Sequence, residues 1–324
     1  MTIEILMVIG FCLAAYSIVG NDVPQTLGTF ISSNAHRPWW VLWIYISSIL
    51  VVVLLYGWYA SGIGDASYGR LETIPFPEGG ITWLYIVPPI LLILLTKYGI
   101  PVSTTFLVLT IFSPSSLTSM LTKSMMGYAV AFIVAIIVYR FVIKQISVYF
   151  SKTRDQSPSN IWIGLQWVST AFLWSQWLIQ DLANIFVYVP RQVPFEFLIF
   201  AISVFVVLLG VILYQRGGAI QKIIDTKTGL ADIRSATIID FIYALILLVF
   251  KEWSNIPMST TWVFLGLLAG REFAMSMHLR EVNKHKTSRN VSKDAMKLML
   301  GLAMSVFLAV TLPWFYNFVT SLAS

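Results

Sequence analysis

The chain has 324 residues, 57% of them hydrophobic and only 11% charged, with a net charge of +6 and a mean hydropathy of +0.79. A soluble domain carries about 25% charged residues, so these charges cannot cover a water-facing surface and lipid must do so. The composition excludes a soluble enzyme. It also makes cytoplasmic loops, rather than nucleic acid, the reason for the positive balance.

In chain order, apolar spans predict membrane helices near 3–20, 40–60, 81–97, 125–143, 161–180, 194–214, 237–253 and 298–318. The first run, Ile5 to Val19, follows Glu4 rather than a basic stretch and precedes no small-residue cleavage site. It is read as a mature membrane helix, not a signal peptide. Cys12 is the single cysteine, which leaves no intramolecular disulfide and no cysteine-rich metal site. Two further apolar pieces, 102–112 and 258–270, are too short to cross a ~30 Å hydrocarbon core and are expected to be half-helices or re-entrant arms.

Both short pieces follow the same words. From Tyr98 the chain reads YGIPVSTTFLV, and from Ser254 it reads SNIPMSTTWVF, so Ser103 and Ser259 lie 156 residues apart. Around Asp22 it reads VGNDVPQTLG and around Asp181 LIQDLANIFV, an offset of 159. Two motif pairs in the same order at almost the same offset predict an internal duplication. The division is a first repeat over 1–143, a cytoplasmic linker over 144–160 and a second repeat over 161–324.

The loops 144–160, 215–236 and 271–297 carry three, four and seven Lys/Arg, two thirds of the 21 in the chain. The loop 61–80 has Arg70 alone, beside Asp65, Glu72 and Glu78. Basic loops stay cytoplasmic, which places 61–80 and both termini outside and turns the second repeat upside down. The fold class expected is all-α polytopic membrane protein, an inverted-topology repeat with discontinuous helices, an organisation common among secondary transporters.

Pro101 and Pro257 are suited to stop what precedes them, and Ser103 and Ser259 then stand at helix N-caps. A first helical turn presents unpaired N–H groups and the positive end of the helix dipole. Thr104, Thr105, Thr260 and Thr261 add hydroxyl donors, so two such termini converging would cage an anion without a strong fixed cation. A carboxylate at membrane depth is costly, about 2.5–3.5 kcal/mol on the lenient insertion scale. Asp22 and Asp181 are therefore expected to be embedded for a reason. The amides near them, Asn21, Gln25, Gln180 and Asn184, offer oxygens of the kind Na⁺ accepts, and a cation there would offset the charge of a neighbouring anion. Each ion would then favour the other's binding, and the effect is reciprocal.

Other residues carry weaker expectations. Arg191 could touch an anion, although an arginine snorkelling to the interface is the stronger expectation. Lys97 and Lys251 occupy matching places before the arms and are read as interfacial anchors. Asp240 could serve a structural ion pair with Arg234 or a proton relay. His36, His278 and His285 have no metal-ligand spacing. No phosphate-binding glycine loop, nucleophile elbow or zinc motif is present, and the chain is not expected to be an enzyme or to use a cofactor beyond a coupling ion.

These motifs resemble those of the inorganic phosphate transporter (PiT) family, cation-coupled phosphate symporters. That family carries an Asn-Asp-type motif at the end of the first helix of each repeat and a Pro-Val-Ser-Thr-Thr-His-type motif in each discontinuous helix. Here they stand as VGNDVPQT and IQDLANI, and as PVSTTF and PMSTTW. The stretch KIIDTKTGLADIRSATIIDFIYALILL is similar to the family's segment before the second arm, so the likeness spans nearly the whole chain. The resemblance implies phosphate at Ser103, Thr104, Thr105, Ser259, Thr260 and Thr261, assisted by Asp22 and Asp181. It implies Na⁺ (or H⁺) at Asn21, Asp22, Gln25, Gln180, Asp181 and Asn184, and a homodimer in the lipid bilayer, expected to be a prokaryotic inner membrane. Departures are Phe106 and Trp262 in place of histidine, Gln25 and Gln180 in place of asparagine, Val187 opposite Gly28, and no carboxylate near Ser47 and Ser48. The alternatives in view are the same fold carrying sulfate or another tetrahedral oxyanion, an anion channel, and a membrane anion sensor.

Overall fold

A computed structural model describes residues 2–60, 64–98, 102–143, 159–218, 221 and 233–278, with isolated positions between 296 and 321. The 144–158 part of the expected linker, Pro101, His285 and most of the 298–318 span lie outside the described residues. Among those described, every element is helical.

The helices are α1 (Thr2–Ser33), α2 (Trp39–Ala60), α3 (Val87–Lys97), α4 (Thr104–Phe112) and α5 (Leu117–Val138) in the first half. The second half has α6 (Asn160–Asp181), α7 (Ala183–Phe186), α8 (Phe195–Tyr214), α9 (Ile233–Trp253) and α10 (Thr260–His278). Among the described residues, four segments are long and apolar enough to cross a membrane: Ile5–Ser33, Trp39–Ala60, Pro114–Phe141 and Phe195–Tyr214.

The polarity of the molecule is turned outside in. Val52, Val207 and Val249 are each more than 60% exposed, while Asn21, Asp22, Asp181 and Asn184 are at most 1% exposed. Burying polar groups and exposing valines is unfavourable in water but suits a hydrocarbon solvent. The chain is thus an all-α polytopic membrane protein.

Two sequence expectations are corrected. The first helix, expected near 3–20, runs unbroken as α1 from Thr2 through Pro24 to Ser33, so Asp22 lies well inside it. Proline sacrifices one helical N–H bond, and the close packing of this helix, with Val23, Leu27 and Phe30 fully buried, holds the turn regardless. The second correction concerns 258–270. The first arm is short, nine residues in α4, but α10 continues to His278. What lets α10 run on is its partner α5: an added Cβ on Gly266 would approach Tyr128 O and Ala131 Cβ, and one on Gly270 would meet Phe132 O and Ala135 Cβ. Small residues four apart let the two backbones approach closely, a common membrane helix seam.

Side-chain donors reach across elsewhere. Trp43 Nε1 donates to Val206 O at 2.8 Å, tying α2 to α8, and Trp174 Nε1 donates to Ile46 O at 3.1 Å, tying α6 to α2. Phe11 packs edge-on against Phe186 with ring centroids 5.5 Å apart, fixing α1 beside the helix break after Asp181. These contacts place α1, α4, α6, α7 and α10 around one buried centre.

Candidate ion-binding site

The two arms begin alike. Ser103 caps α4, its hydroxyl accepting from Phe106 N at 3.3 Å, and Ser259 Oγ accepts from Trp262 N at 3.4 Å at the start of α10. A serine cap satisfies one of the N–H groups a helix start leaves open. The arms then cross. Thr105 Oγ1 donates to Met258 O at 3.2 Å, and Thr261 Oγ1 donates to Val102 O at 3.4 Å. Each arm thus holds the carbonyl just before the other arm's cap.

The carboxylates lie against these arms. Asp22 is bonded at both oxygens: Oδ1 accepts from Asn21 Nδ2 at 2.6 Å and Oδ2 from Thr104 Oγ1 at 2.9 Å. Asn21 Nδ2 also reaches Val102 O at 2.9 Å. In the second half Asn184 Nδ2 donates to Asp181 Oδ1 at 2.7 Å and to Thr104 and Thr105 Oγ1, each at 3.2 Å. Thr260 flanks Asp181. Residues 79 to 159 positions apart in the chain thereby form one buried cluster.

Several buried acceptors in and beside this cluster have no hydrogen-bond donor: Asn21 Oδ1, Gln25 Oε1, Gln180 Oε1, Asp181 Oδ2 and Asn184 Oδ1. Native interiors leave few such groups, and each calls for an explanation. Gln25 and Gln180 spend their amide nitrogens on backbone carbonyls, Asn21 O and Leu247 O, each at 2.9 Å. What remains is a set of carboxylate and amide oxygens, the donor chemistry of a hard cation. No group of three or more His, Cys, Asp or Glu among the described residues could hold a transition metal.

Of the expected site residues, Asn21, Asp22, Thr104, Thr105, Asp181 and Asn184 come together in one network, with Thr260 and Thr261 at its edge. The hydroxyls of Ser103 and Ser259 are used as helix caps. Phe106 and Trp262, where histidine was expected from the resemblance, pack on each other edge-to-face at 5.4 Å, leaving Trp262 Nε1 buried without a partner. Asp240 accepts from Thr29 at 2.5 Å and Thr170 at 3.0 Å, linking α1, α6 and α9. Arg191 lies away from the carboxylates: its guanidinium donates twice to Ile74 O, at 3.0 and 2.7 Å, and to Val189 O at 2.9 Å. It ties two loops together, and burial pushes it down to about 10 against the opposing pull of Asp65.

Sequence reasoning missed two cations. Lys123 on α5 donates from Nζ to Ser254 O at 2.6 Å and to Ile256 O at 2.7 Å, and is 5% exposed. Arg70, from the loop after α2, donates from Nη1 to the same Ile256 O at 3.3 Å. Burial lowers Arg70 to about 10 and the charge of Asp181 raises it, so it stays a cation at neutral pH. A lysine inside an otherwise apolar helix is a signal in itself. It was readable at Lys123.

No family model matches the chain, and no curated protein does. A solved structure described as "The sodium-dependent phosphate transporter" is similar in fold, with a TM-score of 0.62 over 98% of this chain and 100% of that one. The two sequences are 16% identical. The fold is shared. The likeness extends end to end, so it is one of overall fold rather than of a local motif.

Proposed function

We propose that this chain is a secondary active transporter that moves inorganic phosphate in symport with Na⁺ (or H⁺) by alternating access. The observation that carries the reading is the buried pair Asp22 and Asp181, wired to threonines of both arms, with five unpartnered side-chain oxygens in and beside the cluster. Buried anionic groups without a bonded cation lose free energy. Loading Na⁺ between Asp22, Asp181, Asn21 and Asn184, with Gln25 and Gln180 close by, would relieve that cost. The threonine hydroxyls and the first N–H groups of α4 and α10 would then receive the anion, with Ser103 and Ser259 holding those turns in shape. The similarity of fold to a sodium-dependent phosphate transporter supports this assignment.

The crossed threonine bonds and matched serine caps support an inverted repeat with its dyad between the arms, dividing the chain at 144–160. By the same resemblance the protein works as a homodimer, and the compactness of the chain points to a prokaryotic inner membrane. Phosphate is preferred over sulfate because at neutral pH it still carries a proton that Asp22 or Asp181 can accept. Phe106 and Trp262 favour the sulfate alternative in one respect, since they remove the imidazoles expected from the family and leave an indole donor.

The test is uptake of labelled phosphate into proteoliposomes with and without an inward Na⁺ gradient, with excess unlabelled sulfate as competitor. Na⁺-dependent uptake that sulfate leaves untouched is the expected result. Uptake driven by a pH gradient alone would change the coupling ion, whereas sulfate entering in place of phosphate would change the substrate. Flux indifferent to every cation gradient would mean a channel.

A further inference from the structure

Arg70 is 1% exposed, and its guanidinium is used on one side only. Nη1 donates to Ile256 O, while Nε and Nη2 are buried and have no hydrogen-bond partner. Those two nitrogens form one edge of the guanidinium, with two parallel N–H bonds spaced to take two oxygens of a single carboxylate, phosphate or sulfate. A buried cation with its bidentate edge open is costly, because burying a polar group without a hydrogen-bond partner forfeits its hydration. The edge is therefore expected to have an occupant during function.

Its position says which. Arg70 is bonded at Ile256, three residues before the Ser259 cap, so at most about 10 Å of extended chain separates it from the first turn of α10. That lead-in is itself fixed: Lys123 holds Ser254 O and Ile256 O, and the neighbouring Ser124 Oγ accepts from Ser259 N at 2.9 Å. Arg70 also lies within the field of Asp181, the carboxylate that Thr260 flanks. No carboxylate of the protein closes the fork here: Asp22 has both oxygens bonded, and Asp181, whose Oδ2 is open, acts on Arg70 through its field without being bonded to it.

We propose that the open Nε–Nη2 edge of Arg70 is a binding group for the tetrahedral oxyanion, taking two of its oxygens while the first turn of α10 takes another. This deepens the transport reading and rests on it. It also adds a physical source of coupling. An anion on Arg70 neutralises a positive charge that otherwise acts on Asp181, so the carboxylates then hold Na⁺ more strongly, and Na⁺ in turn favours the anion.

The experiment measures phosphate and sulfate binding by isothermal titration to purified wild-type protein, Arg70→Lys and Arg70→Gln, in saturating Na⁺. Arg70→Lys keeps the charge and loses the fork. Both variants are expected to bind the preferred anion at least about 10-fold more weakly, with Arg70→Gln the weaker of the two. Arg70→Lys that binds like wild type overturns the fork and leaves the transport reading standing. Wild-type protein that binds neither anion overturns both. Should the variants not fold, the wild type carries the test: bound phosphate is expected to slow modification of Arg70 by phenylglyoxal, mapped by mass spectrometry. Labelling equal with phosphate and with chloride, zero included, overturns the proposal.

Discussion

The lead-ins to the two arms are made from nearly the same sequence and are held by different chemistry. Before α4, Val102 O takes a neutral amide, Asn21 Nδ2, and a threonine from the other arm. Before α10, the carbonyls of Ser254 and Ile256 take a lysine and an arginine, and Ser259 N is fixed by Ser124. Charge-assisted bonds to backbone are roughly twice as strong as neutral ones. The second arm is also welded to α5 through Gly266 and Gly270, whereas α4 is nine residues long and ends at Ser113. Among the described residues, matching words thus give matching helix starts, while the second arm carries the charged and close-packed anchorage.

The comparison can be broken at its shared base first. Asp22→Asn and Asp181→Asn should each abolish Na⁺-stimulated uptake, a loss on the order of 100-fold, while the protein still elutes as a folded species. Wild-type Na⁺ dependence in either variant would show that the two halves do not share one cation site. A smaller effect should separate the arms. Lys123→Met frees the carbonyls before α10 and leaves those before α4 untouched, and should weaken anion binding about 10-fold in equilibrium titrations. Unchanged affinity would make the cationic anchorage irrelevant to the site. Smallest of all, Ser103→Ala and Ser259→Ala each remove a helix cap worth about 1 kcal/mol. Similar small drops in detergent melting temperature are expected for both, and a large difference between them would mean that one serine does more than cap.

The matched motifs were legible because local chemistry dictates them. A serine before Thr-Thr and an apolar run reads as a cap wherever it stands, and an aspartate in an apolar run reads as embedded because of what it costs. Those signals brought Asp22, Asp181 and the four threonines to one place in advance of any structure. The course of α1 through Pro24 was not legible, since it depends on the packing of Val23, Leu27 and Phe30 rather than on the proline's own preference. Nor was the length of α10, set by glycines whose partners are carbonyls on α5. Arg70 escaped for the same reason. Its acceptor is a backbone oxygen 186 residues away, and no side-chain pattern announces a carbonyl, whereas Lys123 was readable as a lysine in an apolar helix and only its acceptors were not.

The crossed threonine bonds carry one more consequence. Because Thr105 holds the chain before Ser259 and Thr261 holds the chain before Ser103, neither arm can swing without breaking a bond that belongs to the other. Both bonds are released by the same displacement, so the arms share a single threshold rather than two. A half-open intermediate, with one arm parted and the other seated, gains nothing from either bond. In the proposed symport cycle that suppresses slippage, in which an ion escapes across the membrane without its companion, and it does so through two hydroxyl groups.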